Sequence, residues 1–113
     1  MGHDIYLLSE DGTELYYARY AVGNPTTRDA NSVYSVFGAW EYDGGVSGTG
    51  EALVFTRDEI DKLVKKYLEG KTIPDTDDSR QFSDYCHGLR MLSAAHNWLQ
   101  RHPSNKTVSI RFA

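Results

Sequence analysis

Phe55-Thr56-Arg57-Asp58-Glu59-Ile60 fixes one junction in this chain. Thr56 can accept a hydrogen bond from the backbone amide of Glu59 while the Glu59 side chain reaches back to the amide of Thr56, a capping box, and Phe55 and Ile60 stand where a hydrophobic staple clamps the entering chain. Ile60, Leu63, Val64, Tyr67 and Leu68 then recur at helical spacing, with Gly70 as a suitable stop. Upstream, Glu51-Ala52-Leu53-Val54-Phe55 is a short strand candidate. Strand therefore passes into amphipathic helix with no linker, and a helix with one apolar face must bury it against another element.

The N-terminal segment supplies such an element. Asp4-Ile5-Tyr6-Leu7-Leu8 and Glu14-Leu15-Tyr16-Tyr17-Ala18-Arg19-Tyr20 are rich in β-forming residues and flank Asp11-Gly12, a strong turn signal. Together they read as a hairpin. Tyr6, Tyr16, Tyr17, Tyr20 and Tyr34 lie in or near it, and such rings either pack across strands or stack on a ligand. Val22 to Arg28, with Gly23, Asn24 and Pro25, reads as a loop. Ala30, Val33, Tyr34, Phe37 and Trp40 form one apolar stripe and predict a helix, which Gly38 weakens by about 1 kcal/mol relative to Ala, while the β-branched and aromatic residues from Val33 to Trp40 leave a buried strand as the alternative. Lys71 to Ser79 reads as a polar connector. A third helix is expected from near Arg80 to Pro103, with Phe82, Tyr85, Cys86, Leu89, Leu92, His96 and Leu99 on one side. Val108, Ile110 and Phe112 alternate with Thr107, Ser109 and Arg111, the pattern of a half-buried closing strand. The order predicts one α+β domain over residues 1–113, with an N-terminal β-hairpin and a short antiparallel sheet of about four strands packed against three helices.

Composition narrows the function classes. A 113-residue chain is long enough for one core. Its formal net charge of −4 disfavours a surface that tracks nucleic-acid phosphates, and Lys62, Lys65, Lys66 and Lys71 are diluted by Asp58, Glu59, Asp61 and Glu69. The single Cys86 excludes an internal disulfide and fits a reducing compartment. No run approaches a membrane span, and His3 and Asp4 interrupt any signal-peptide pattern, so a cytoplasmic protein without a membrane partner is expected.

The best site candidate is Tyr42-Asp43-Gly44-Gly45-Val46-Ser47-Gly48-Thr49-Gly50-Glu51, where four of the ten glycines gather. Its spacing misses three phosphate and nucleophile motifs. After Gly45-x-x-x-x-Gly50 come Glu51 and Ala52, where a P-loop needs Lys and Ser or Thr. Gly45, Gly48 and Gly50 stand in the wrong order for a dinucleotide fingerprint. Gly45-Val46-Ser47-Gly48 begins like a nucleophile elbow, but Thr49 replaces its second glycine. What remains is a set of backbone amides with the hydroxyls of Ser47 and Thr49, capable of forming an anion-accepting nest.

Other chemistry is poorly supported. Cys86 and His87 would point about 100° apart on a helix. His3, His87, His96 and His102 lack zinc spacing, and His96 reads as a hydrogen-bonded core residue. No metal and no cofactor are expected. Asp75-x-Asp77-x-Ser79 fails as a calcium loop at Arg80 and Cys86. Glu41, Asp43 and Glu51 could form a carboxylate pair for hydrolysis, the weakest of three functional readings.

Met1-Gly2-His3-Asp4-Ile5, Gly45-Val46-Ser47-Gly48-Thr49-Gly50 and the closing Phe112-Ala113 give the chain a resemblance to small uncharacterised proteins of bacteriophages and bacteria. That resemblance implies a small non-enzymatic protein that binds a host component, such as a nucleotide signal or a defence protein, in the host cytoplasm.

The leading expectation is thus a non-enzymatic binding module that recognises a small nucleotide-like or other polar ligand. Its surface would combine Trp40, Tyr42, Asp43, Gly44, Gly45, Ser47, Gly48, Thr49, Gly50 and Glu51 with Tyr17 and Arg19. Arg19, Arg28 or Arg111 would have to converge there to supply positive charge. On this reading a bulky residue at Gly48 abolishes binding with little change in melting temperature. The alternative is an inhibitor that docks a host protein through exposed Tyr and Trp. Sheet edges and abundant aromatics leave homo-oligomerisation open.

Overall fold

The structure is a computed structural model and describes residues 2–21, 30–45, 47–69 and 87–113. Strands β1 (Gly2–Ser9), β2 (Glu14–Ala21), β3 (Ala52–Thr56) and β4 (Thr107–Phe112) form one antiparallel sheet in the order β2-β1-β4-β3. Helices α1 (Val33–Val36), α2 (Arg57–Tyr67) and α3 (His87–Arg101) complete an α+β fold.

Local chemistry accounts for the hairpin. Asp11 accepts hydrogen bonds from the Ser9 hydroxyl, the Thr13 amide (3.1 Å) and the Thr13 hydroxyl (2.9 Å), and these bonds hold its carboxyl below the usual range. The turn is closed by the Gly12 amide donating to the Ser9 carbonyl at 3.0 Å.

β1 and β4 lie centrally, and alternation sorts their side chains. Ile5, Leu7, Ala18, Tyr20, Phe55, Val108, Ile110 and Phe112 are buried on one face of the sheet, in the same cluster as Val33, Val36, Ile60, Met91, Leu92, Ala95 and Leu99 from the helices. α3 contacts β1 and β2, and α2 contacts β3. The capping box forms as the sequence requires: Thr56 Oγ1 accepts from the Glu59 amide at 3.2 Å, and Glu59 accepts from the Thr56 amide at 3.1 Å.

Three expectations change. The stripe from Ala30 to Trp40 does not make one helix: α1 spans only Val33–Val36, and after Gly38, at φ +62°, the chain makes a single 3-10 turn at Trp40–Tyr42. Burial of Val33, Tyr34, Val36 and Phe37 outweighs helical continuity, and Trp40 is left 39% exposed. The buried face of α3 is Gly88, Met91, Leu92, Ala95 and Leu99. His96 consequently is not a core histidine; it lies half-exposed, 3.7 Å from Asp61 on α2. The helix start expected near Arg80 and the residues Phe82, Tyr85 and Cys86, like the loop at 22–28 and the connector at 71–79, lie outside the described residues.

Candidate functional site

The glycine-rich loop is built into the sheet. Asp43 and Gly48 form an isolated antiparallel bridge, and the Gly44 amide donates to the Ser47 carbonyl at 2.8 Å. From there the chain runs beside the end of β4. Gly48 donates to the Ala113 carbonyl at 2.9 Å, Gly50 to the Phe112 carbonyl at 2.7 Å, and the Phe112 amide to the Glu51 carbonyl at 2.9 Å. The Thr49 amide donates to the Tyr42 carbonyl at 3.1 Å, and the Gly45 amide to the Asp43 carboxylate at 2.9 Å. The Ser47 hydroxyl donates to the Gly48 carbonyl at 3.1 Å. The amides of Gly44, Gly45, Gly48, Thr49 and Gly50 are therefore engaged by the protein itself, which depletes the anion-accepting nest.

The expectation at Gly48 is overturned by the same packing. A Cβ there would lie 2.6 Å from the carbonyl carbon and oxygen of Phe112 and 2.8 Å from its Cβ, so glycine permits the loop to approach β4. A bulky residue must therefore cost stability.

Beneath the loop lies a buried polar cluster. His3 shares the inward face of β1 with Ile5 and Leu7, and is 3% exposed. Its Nε2 donates to the Gly45 carbonyl at 3.2 Å, and in the neutral ring Nδ1 then accepts from the Tyr34 hydroxyl at 2.9 Å. Asp43 Oδ1 lies 3.7 Å from Nδ1. Burial, and secondarily the Asp43 charge, push the Tyr34 hydroxyl well above the usual tyrosine range. His3 thus ties strand, helix and loop together. The signal for it was the alternation His3-Ile5-Leu7, which places all three on one face of a strand.

The aromatic residues divide between two sides of the sheet. Trp40 stacks on Tyr34 (centroids 5.6 Å, 20°), Tyr34 on Phe112 (5.4 Å, 28°), and Phe112 on Tyr42 (5.1 Å, 19°). This column belongs to the core side, with Trp40 at its exposed end. Tyr17 and Arg19 project from the opposite side of the sheet and do not join Trp40 and Tyr42. Tyr17 donates to the Asp4 carboxylate, an interaction that raises its own pKa, and Arg19 Nε lies 3.9 Å from the same carboxylate. Glu51 is exposed, and Arg28 lies outside the described residues.

On that opposite side the strand register aligns Tyr17, Tyr6, Arg111 and Ala52 in one row, with Leu8, Ser109 and Val54 in the next. Tyr6 and Tyr17 pack ring against ring at 5.0 Å. No described helix covers this face, and Tyr17 and Val54 are 41% and 56% exposed. Tyr6, Leu8, Gly12, Arg111 and Ala113 line an open groove across it of about 390 Å³.

Among the described residues, no three His, Cys, Asp or Glu side chains gather as a metal site, and no helix is long and apolar enough to cross a membrane. No family model, curated protein or solved structure matches the chain.

Proposed function

We propose that this protein is a non-enzymatic binding module that docks a partner protein through the open side of its sheet. The observation that carries this reading is the exposure of Tyr17 and Val54 on a face that no described helix covers. Both sit among Tyr6, Leu8 and Ala52, an arrangement of aromatic and aliphatic side chains suited to a protein interface.

The glycine-rich loop supports the module in a different way from the small-ligand reading. Its amides bond to β4 and to one another, and its Asp43 carboxylate already accepts from Gly45. The cations Arg19 and Arg111 stand on the sheet's other side, where they flank the docking face. The same geometry weakens a hydrolytic pair, because Asp43 is tied to the Gly45 amide and to the His3 cluster.

Paired capture from a bacterial lysate tests the proposal. The wild type is expected to retain a partner that a Tyr17→Ser/Val54→Lys variant loses, whereas Trp40→Ala, on the far side, retains it. Equal retention by all three forms would overturn the reading. So would native mass spectrometry showing a small molecule bound to the wild type and lost from Trp40→Ala alone.

A further inference from the structure

Arg111 is the distinctive group on the open face. It is exposed at the centre of the sheet, with Tyr6 on one side and Ala52 on the other in the strand register. Neither neighbour can neutralise it. The nearby carboxylate of Asp4 is occupied by the Tyr17 hydroxyl and lies within ion-pair reach of Arg19. Among the described residues, none forms an ion pair with Arg111. Arg111 lines the open groove of about 390 Å³ together with Tyr6 and Leu8, so one cation borders apolar side chains there.

A site of this composition selects two things at once. The groove favours an aliphatic or aromatic side chain, because burying such a group against Tyr6 and Leu8 removes apolar area from water. The guanidinium favours a carboxylate, which it can bind through two parallel N–H donors. An unmatched cation beside an apolar surface also discriminates against basic partners.

We propose that the partner inserts an extended segment in which an Asp or Glu adjoins an apolar residue, the carboxylate pairing with Arg111 and the apolar side chain packing in the groove against Tyr6 and Leu8. This rests on the reading of the open face as the docking surface. The occupant is a protein segment because the exposed Tyr17 ring packs against Tyr6 of the groove wall, so the apolar surface continues beyond what a single small anion would cover.

A displayed library of random dodecapeptides, panned against the intact protein, supplies the probe. The wild type is expected to enrich peptides carrying Asp or Glu within two positions of Phe, Leu, Ile or Tyr. Arg111→Gln should bind a selected peptide about tenfold more weakly, and exchanging its acid for the matching amide should cost the wild type about the same. Combining the two changes should add little further loss, the mark of a direct pair. Arg111→Lys should restore part of the affinity, and circular dichroism melts should show all variants folded. Acidic peptides that bind Arg111→Gln undiminished would overturn the pairing. Peptides without an acid that lose binding in Tyr17→Ser would overturn it too, while leaving the open-face reading standing. No enrichment, or peptides indifferent to both substitutions, would overturn both.

Discussion

Gly48 and His3 show how single residues hold the loop in place. A β-carbon at Gly48 has no room against the Phe112 backbone, so the loop would have to lift from β4 and give up hydrogen bonds of 2.9 and 2.7 Å from Gly48 and Gly50. Gly48→Val is accordingly expected to lower unfolding free energy by about 3 kcal/mol, as overpacking of a close contact does. Urea denaturation at neutral pH measures this, and an unchanged midpoint would show that the loop can shift without cost. His3 acts from below by donating to Gly45 and accepting from Tyr34. In the sequence, alternation with Ile5 and Leu7 marks its face of the strand but names none of its partners. Its role depends on Tyr34 and Gly45, which are 31 and 42 positions away.

At the scale of elements, the β3–α2 junction and the end of α3 illustrate local and tertiary capping. Thr56 and Glu59 satisfy each other's backbone amides across three residues, so this helix start is written in adjacent sequence. Thr56→Ala is expected to cost about 1 kcal/mol and to shift the thermal midpoint down by several degrees, with no change at the open face. At the end of α3 the Leu99 carbonyl is met from elsewhere. Arg57 of α2 donates to Leu99 at 2.7 Å and to Asn105, and no pattern near Leu99 announces that partner. The buried stripe of α3 departs from the expected one for a related reason. Gly88 and Ala95 are weak hydrophobic markers, yet they face the core because their small size admits close packing, while His96 turns toward Asp61.

For the whole molecule, the arrangement β2-β1-β4-β3 places the N- and C-terminal strands side by side at the centre. Unfolding therefore separates the hairpin, the loop and the closing strand together. Tyr34 couples this event to alkaline pH. Its hydroxyl is pushed up by burial and by Asp43, whereas in the unfolded chain it ionises near its ordinary value of 10.0. The raised folded pKa means that its contribution is full below pH 10.0 and declines as pH rises beyond, because the unfolded state loses the proton first. Denaturation midpoints from about pH 9 to pH 11 should fall more steeply for the wild type than for Tyr34→Phe. Parallel slopes would remove Tyr34 from that role. The outermost strands β2 and β3 are the routes by which a second copy could add, and light scattering after gel filtration would show the resulting dimer mass.

The sequence by itself determined the elements whose causes are local: the Asp11-Gly12 hairpin, the capping box at Thr56, the amphipathic face of α2, and the alternation of β4. Those rest on hydrogen bonds and periodicities within a few residues, and they sufficed for the α+β class. The tertiary structure decided strand order, the interruption of the expected helix after Gly38, and the use of the glycine-rich loop as a flank of β4. It also decided which tyrosines share a surface. Tyr17 and Trp40 look alike in the sequence, yet strand register sends one to the open face with Arg111, and burial of Tyr34 and Phe112 stacks the other onto the core. Register and long-range packing couple residues far apart in the chain, and neighbouring residues carry no record of them.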